Sequence, residues 1–393
     1  WIVVEKILEG DEQLPDDWPC AGTTGYDALM RVTGVAVDPS GGEALTTLWS
    51  EIAPDELREF ETVAQTSKHQ VVATSLRAEI ARLVHLAHLV SSEDLTYRDF
   101  TRANLEAALV AMLVAFPVYR AYVVPGEHPP HTSVQTVDAV VDACAAEQPH
   151  LGDELAYLRE LALGRLGARE TGKRAEFAVR FQQTCGPVMA KGVEDTTFYR
   201  WHRLSALNEV GGRPEQFAVF PDELHAWASR QQDEHPLSMT TLSTHDTKRS
   251  EDVRARILAL SEVPEAWREA VTGWRDAASA YRSAGGWPDP VTEYLLWQTV
   301  VGTWPISADR LTEYLTKAAR EAKLHTTWTD PDPDYEEALA AFATGVLSDA
   351  TIAESIGAFV EQIQPWARVT TLGSKLVQLM LPGAPDVYQL CLI

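Results

Sequence analysis

Short β-branched or apolar runs that end in polar residues recur along this chain beside long helical stretches, and that pattern constrains the fold more than any other feature. Ile2-Val3-Val4 and Ile7-Leu8 enclose Glu5-Lys6, and after the turn-rich Glu9 to Pro19, Cys20-Ala21-Gly22-Thr23-Thr24-Gly25-Tyr26-Asp27 reads as a second strand entering a glycine-flanked loop. Met239 to Leu242 delivers Ser243-Thr244-His245-Asp246, and Leu376 to Met380 leads into Leu381-Pro382-Gly383-Ala384-Pro385-Asp386-Val387-Tyr388-Gln389. Continuous apolar runs suit strands of a parallel sheet buried on both faces. Parallel strands need long crossovers, usually helices. The expected fold class is therefore α/β, part of an α/β barrel whose polar strand ends gather at one face.

The helical sequence is explicit. Leu76, Ile80, Leu83, Ala87 and Val90 make one apolar stripe; Leu105, Leu109, Leu113 and Phe116 make the next, and Pro117 should stop it. Glu154 to Leu166, Lys173 to Gln183 and Pro221 to Gln232 are further helix candidates, and helices dominate Ser250 to Lys323. The chain divides into 1–44 with the first two strands, 45–235 as a large, mostly helical insertion, and 236–393 with the last two strands and additional helices. It holds no repeat, low-complexity tract or long linker.

Composition excludes several functions. With 33 basic against 57 acidic side chains, the net charge is −24. That surface repels nucleic acid and anionic membranes, so neither is expected as a partner. Cys20, Cys144, Cys185 and Cys391 stand singly, and His85 and His88 have ligand spacing without a third ligand, so no metal is expected. No phosphate loop, dinucleotide fingerprint or Gly-x-Ser-x-Gly elbow is present, so no cofactor is expected. Without an apolar run of about 18 residues or a signal leader, the expected location is cytoplasmic. The chain opens Trp1-Ile2-Val3-Val4 with no Met, inside what reads as a strand, so its native N-terminus is expected upstream.

Three groups of residues could carry chemistry. Glu5, closing an apolar strand, fits a general acid kept protonated by desolvation, and fits equally an edge carboxylate paired with Lys6. His245-Asp246 suits binding of a polyol through neighbouring side chains, while Asp246 could instead cap the following helix. The charged run from Lys248 to Asp252 reads as a solvated first helical turn. Gly186 to Gly212 concentrates Lys191, Glu194, Asp195, Phe198, Tyr199, Arg200, Trp201, Arg203, Asn208 and Glu209. Phe-Tyr-Arg-Trp suits an aromatic platform for a sugar ring, with Arg, Asn and Glu reading hydroxyls, and an aromatic core accounts for some of the same residues.

Together these runs, with Phe116-Pro117-Val118-Tyr119-Arg120, Met189-Ala190-Lys191-Gly192-Val193-Glu194-Asp195-Thr196 and Leu207-Asn208-Glu209-Val210-Gly211, resemble the α-amylase superfamily, glycoside hydrolase family 13. The Gly22–Asp27 and Ala190–Thr196 runs single out a branch of isomerases that turn the reducing-end α-1,4 linkage of a maltooligosaccharide into an α,α-1,1 linkage, a step of trehalose biosynthesis. The resemblance implies a partial (β/α)8 TIM barrel, strands five to eight. It makes Glu5 the general acid/base, Asp246 the transition-state stabiliser and His245 a sugar ligand. Lys191, Glu194, Asp195 and Tyr199, helped by Thr23, Thr24 and Tyr26, become the wall that holds the released glucose. The implied substrate is a maltooligosaccharide or α-1,4-glucan, and the implied companion is a hydrolase that cleaves maltooligosyltrehalose, a trehalohydrolase.

The departures matter as much. The family's nucleophilic Asp, in an Arg-x-Asp run, and its third-strand Asn-His have no counterpart here, and Leu390-Cys391-Leu392-Ile393 replaces the family's continuation after Tyr-Gln. The resemblance thus implies a fragment, inactive alone. The competing readings are a maltooligosaccharide hydrolase of the same superfamily and a non-catalytic glucan-binding fragment.

Overall fold

Leucine stripes spaced for one helix face must close on other helices, and they do. A computed structural model describes residues 1–10, 12–166 and 172–388, so Gln389 and the last four residues, Cys391 among them, lie outside the described residues. The chain falls into two units, 1–63 with 196–393, and 64–195. Residues 64–195 lie within the span 45–235 expected as an insertion, while 45–63 and 196–235 group with the other unit.

In the unit 64–195, helices Arg77–Ser91, Arg102–Ala115, His131–Glu147, Gly152–Ala162 and Lys173–Met189 share one core. Ile80, Leu83, Ala87 and Val90 pack with Leu105, Leu109, Leu113 and Phe116, all buried. Thr101 caps the second helix by accepting the Asn104 N–H at 3.1 Å. That helix ends at Ala115 because Pro117 forces Phe116 into extended backbone. The helix Lys173–Met189 runs past the expected Gln183 and continues as a π turn, Ala190–Glu194.

The larger unit is also mostly helical. Pro290–Thr303 is its central helix, buried from Val291 to Gly302; Trp49 and Trp267 pack on its Tyr294 and Trp274 on its Trp297. Much of the tryptophan content is thus core. Among the described residues no single helix is long and apolar enough to cross a membrane.

Four extended stretches lie side by side in chain order within this unit. Ala21 N–H donates to Ile2 O (2.6 Å), Val4 N–H to Gly22 O (2.9 Å) and Thr24 N–H to Val4 O (3.1 Å), a parallel bridge. Met239 N–H donates to Thr23 O at 3.1 Å, and Met239–Thr240 pairs in parallel with Ala384–Pro385. The expected glycine close approach is to Ser238 at Gly22 and to the Met239 backbone at Gly25. Gly22 has φ 142°, and a β-carbon there would sit 2.3 Å from Ser238 Cβ; Gly25 has φ 94°, and a β-carbon there would sit 2.9 Å from Met239 O.

Two strand expectations are corrected. The first stretch is not buried on both faces: Trp1 and Ile2 are exposed and Val3 and Val4 half-buried. Leu376 to Met380 is the last turn and a half of the helix Ala350–Met380, and the extended stretch comes after it. A five-residue apolar run does not distinguish helix from strand. Here the apolar side chains of Leu376, Leu379 and Met380 are exposed, whereas Gln378 is buried and donates to Thr240 O (3.0 Å) and Asp386 O (2.8 Å).

Candidate functional site

Parallel stretches end at the same side, so Glu5, Thr24 to Tyr26 and Thr244 to Asp246 follow the carboxyl-terminal ends of one row. A hydrogen bond between Tyr26 OH and Thr244 Oγ1 (2.9 Å) ties the second end to the third. Neighbours in extended chain face opposite ways. Thr23 accordingly turns inward, its Oγ1 donating to Asp27 Oδ1 at 2.7 Å beside Ser238, while the Thr24 hydroxyl is buried without a hydrogen-bond partner among the described residues.

The same alternation separates Glu5 from Lys6. Lys6 is buried and pairs with Glu12, and Glu5 is exposed. The pairing with Lys6 and the desolvation of Glu5, both expected from sequence, are therefore absent. Burial instead pushes the Lys6 ammonium down, against the opposing pull of Glu12.

His245 and Asp246 stand out from the third end, both exposed, with Nε2 3.2 Å from Oδ2. The turn that presents them is held from within. Thr247 Oγ1 donates to Thr244 O (2.9 Å) and accepts Thr244 N–H (3.2 Å), and Thr244 Oγ1 accepts Asp246 N–H (3.1 Å). Asp246 does not cap the next helix, which starts at Glu251. Its carboxylate is left to face solvent and its histidine neighbour.

The charged run behind this turn is not solvated, contrary to the sequence reading. Arg249 and Arg254 are buried around Glu209, itself buried. The Glu209 carboxylate accepts Lys248 N–H (2.7 Å) and Arg249 N–H (2.9 Å) and lies 3.5 Å from Arg254 Nη1. Arg249 donates to Ser205 O (3.0 Å) and Tyr314 OH (2.8 Å), and Arg254 to Arg249 O (2.7 Å) and Leu242 O. A buried carboxylate that accepts two successive backbone N–H groups and faces a guanidinium holds the loop through charge-assisted hydrogen bonds. Glu209, expected to read sugar hydroxyls, is the floor of the site, and Asn208, expected to do the same, is buried and donates to Phe198 O (3.0 Å) and Trp201 O (2.6 Å).

The expected aromatic platform is likewise turned inward. Phe198, Tyr199 and Trp201 are buried, Arg200 donates to Ala322 O (2.6 Å) and Trp201 Nε1 to Arg58 O (2.8 Å). Tyr199 still borders the site, because Lys248 Nζ lies 5.2 Å from its ring centroid, and burial pushes its phenol well up. In the helical unit the π turn gathers Lys191, Glu194 and Asp195: Lys191 Nζ is 3.8 Å from Asp195 Oδ2, and Tyr119 OH donates to Glu194. Gly192 permits the turn to lie on Lys68, whose side chain would meet any β-carbon there at 2.7 Å. Tyr119 is the member that residue-by-residue reading missed. Its only sequence signal is the Phe116–Arg120 run. Among the described residues, no group of three or more His, Cys, Asp and Glu side chains could hold a metal ion.

No family model matches the chain. It is 39% identical over 397 residues to a putative maltooligosyl trehalose synthase of Mycobacterium tuberculosis, covering 99% of this chain and 48% of that protein. Among solved structures, it aligns with the maltooligosyltrehalose synthase of Arthrobacter ramosus at 40% identity and a TM-score of 0.84, covering 99% of this chain and 47% of that one. A hypothetical maltooligosyl trehalose synthase of Sulfolobus tokodaii aligns at 26% identity and 0.79, over 99% and 48%. The chain thus spans about half the length of the relatives it matches. In sequence and in fold the chain is similar to about half of each of these synthases.

Proposed function

We propose that this chain contributes the acid/base and sugar-holding half of a site that isomerises the reducing-end α-1,4 linkage of a maltooligosaccharide to an α,α-1,1 linkage. The observation that carries the reading is the parallel row whose ends bring Glu5, Tyr26 and the His245-Asp246 pair to one side. Four stretches bonded in chain order, with helices between the later ones, support reading them as strands five to eight of a (β/α)8 barrel, where chemistry sits at the carboxyl-terminal ends.

In this reading Glu5 donates its proton to the oxygen of the terminal glycosidic bond as that bond breaks, and a carboxylate that this chain does not supply captures the anomeric carbon. Asp246, exposed at the strand end, stabilises positive charge developing on the ring, and His245 holds a hydroxyl of the same sugar. Glu5, now a base, takes the proton from the anomeric hydroxyl of the released glucose. That oxygen attacks the glycosyl intermediate, forms the α,α-1,1 bond and frees the captured carboxylate. Nothing is lost or added, so the reaction is an isomerisation. The chain alone turns over no glucan, because Glu5 and Asp246 do not perform the covalent step. The product suits a trehalohydrolase acting next, and the free thiols of Cys20, Cys144 and Cys185 support a cytoplasmic setting.

Water attack on the intermediate gives hydrolysis, so the wall that retains glucose sets the outcome. The resemblance assigns that wall to Lys191, Glu194, Asp195 and Tyr199, helped by Thr23, Thr24 and Tyr26; the first three lie at a π turn, and π turns recur at functional sites. The test joins this chain to the parts of the Arthrobacter ramosus enzyme that it does not match. In that hybrid, Lys191→Ala and Glu194→Gln are expected to raise the ratio of hydrolysis to isomerisation several-fold. A ratio unchanged in both variants removes the π turn from the wall.

A further inference from the structure

At the far end of the helix Tyr26–Val35 from Tyr26, about 15 Å along its axis, lies a groove that the chemistry above does not use. The link is direct: Val219 N–H donates to Gly34 O at 3.0 Å, and the segment after Arg213 then lines the groove. Its volume is about 430 Å³, within the range of small-molecule sites.

The walls are of two kinds. On one side the Phe217 ring lies against Gly42, where a β-carbon would come within 2.9 Å of Cδ1, so the glycine is what admits the ring. Beneath it the Arg203 guanidinium is layered between the Phe217 and Trp201 rings, 4.9 and 5.0 Å from their centroids. Phe220 stands at the rim with 58% of its surface exposed, an unusual position for so large an apolar side chain. On the other side the helix Gly42–Ile52 presents Glu43, Thr46 and Thr47, three and four residues apart on one exposed face. Thr46 and Thr47 donate to the backbone of their own helix, at 2.7 and 2.9 Å, and keep acceptor lone pairs; Arg203 Nη1 reaches Thr46 at 3.3 Å. The Glu43 carboxylate has no hydrogen-bond or ion-pair partner among the described residues.

One guanidinium balanced by one carboxylate does not attract a polyanion, and the groove is too short and too polar for a helix of another protein. An exposed aromatic face opposite a row of hydroxyl and carboxylate acceptors matches a pyranose, whose C–H face is apolar and whose edge is a ring of hydroxyl donors. We infer that this groove is a second carbohydrate-binding site, which holds glucose units of an α-1,4-glucan on Phe220 and Phe217, remote from the strand ends. That the sugar is glucose rests on the proposed function; that it is a sugar rests on the groove.

Native electrophoresis of the chain in gels with and without soluble amylopectin tests it. Wild-type protein is expected to be retarded by the glucan. Phe220→Ala should weaken the apparent affinity about fivefold, and Glu43→Gln should weaken it less. Phe220 and Glu43 are exposed, so either variant that keeps the wild-type thermal midpoint carries the test. No retardation of the wild type, or retardation of both groove variants equal to that of the wild type, overturns the groove. Retardation lost in Asp246→Asn but kept in Phe220→Ala also overturns it while leaving the strand-end site intact.

Discussion

Glu5→Gln, in a hybrid that joins this chain to the unmatched parts of the Arthrobacter ramosus enzyme, is expected to lower the rate of α,α-1,1 bond formation by about 10²–10⁴-fold, the range for loss of a positioned acid/base. Glutamine keeps the shape and the hydrogen-bonding reach of the side chain but neither donates the proton to the breaking linkage nor takes one from the incoming hydroxyl. Glucan affinity should persist, because His245 and Asp246 remain. Initial rates of non-reducing product, with binding measured separately, check this. A loss of less than about threefold would move the acid/base role from Glu5 to another residue.

Glu209→Ala is expected to destabilise the larger unit by about 3–5 kcal/mol, the cost of removing one member of a buried charge pair. The change strips Lys248 and Arg249 of an acceptor for two backbone N–H groups and leaves the buried Arg254 without its carboxylate. Denaturant unfolding measures the loss, and Glu209→Gln, which retains an acceptor oxygen, should lose less. Because this floor holds the turn that presents His245 and Asp246, either variant should also weaken sugar binding at the strand ends. Stability unchanged in Glu209→Ala would show that the turn is held by Thr244 and Thr247 alone.

What was legible in the sequence divides along physical lines. Periodicity found the helices around residues 80–90 and 105–113, since Leu105, Leu109, Leu113 and Phe116 have no other reason to share a spacing, and Pro117 marks the stop. The ends of Gly152–Ala162 and Lys173–Met189 differ by up to six residues from those expected. Glycines announced a close approach, and Gly22 and Gly25 make one. Local reading failed where a residue's partner is distant in the chain. Glu209 and Arg249 are 40 positions apart, and only their contact turns a charged run from a solvated turn into a buried floor. Phe198, Tyr199 and Trp201 suit a sugar platform or a core equally by composition, and packing decided for the core. Leu376 to Met380 is apolar enough for a strand, yet the helix there turns Gln378 inward because two backbone carbonyls of the adjoining stretches need a donor. The exposure of Glu5 was hidden for the same reason: alternation says that Glu5 and Lys6 face opposite ways but not which side is covered.

The proposed activity and simple hydrolysis differ in one countable quantity. Isomerisation consumes a reducing end at each turnover, and hydrolysis creates one. Reducing ends should be titrated while the hybrid acts on maltohexaose, with the chain alone run beside it. Reducing ends are expected to fall in the hybrid as a non-reducing product accumulates, and to stay constant with the chain alone. A rise in reducing ends in the hybrid, with no non-reducing product, would contradict it and make the site one of hydrolysis.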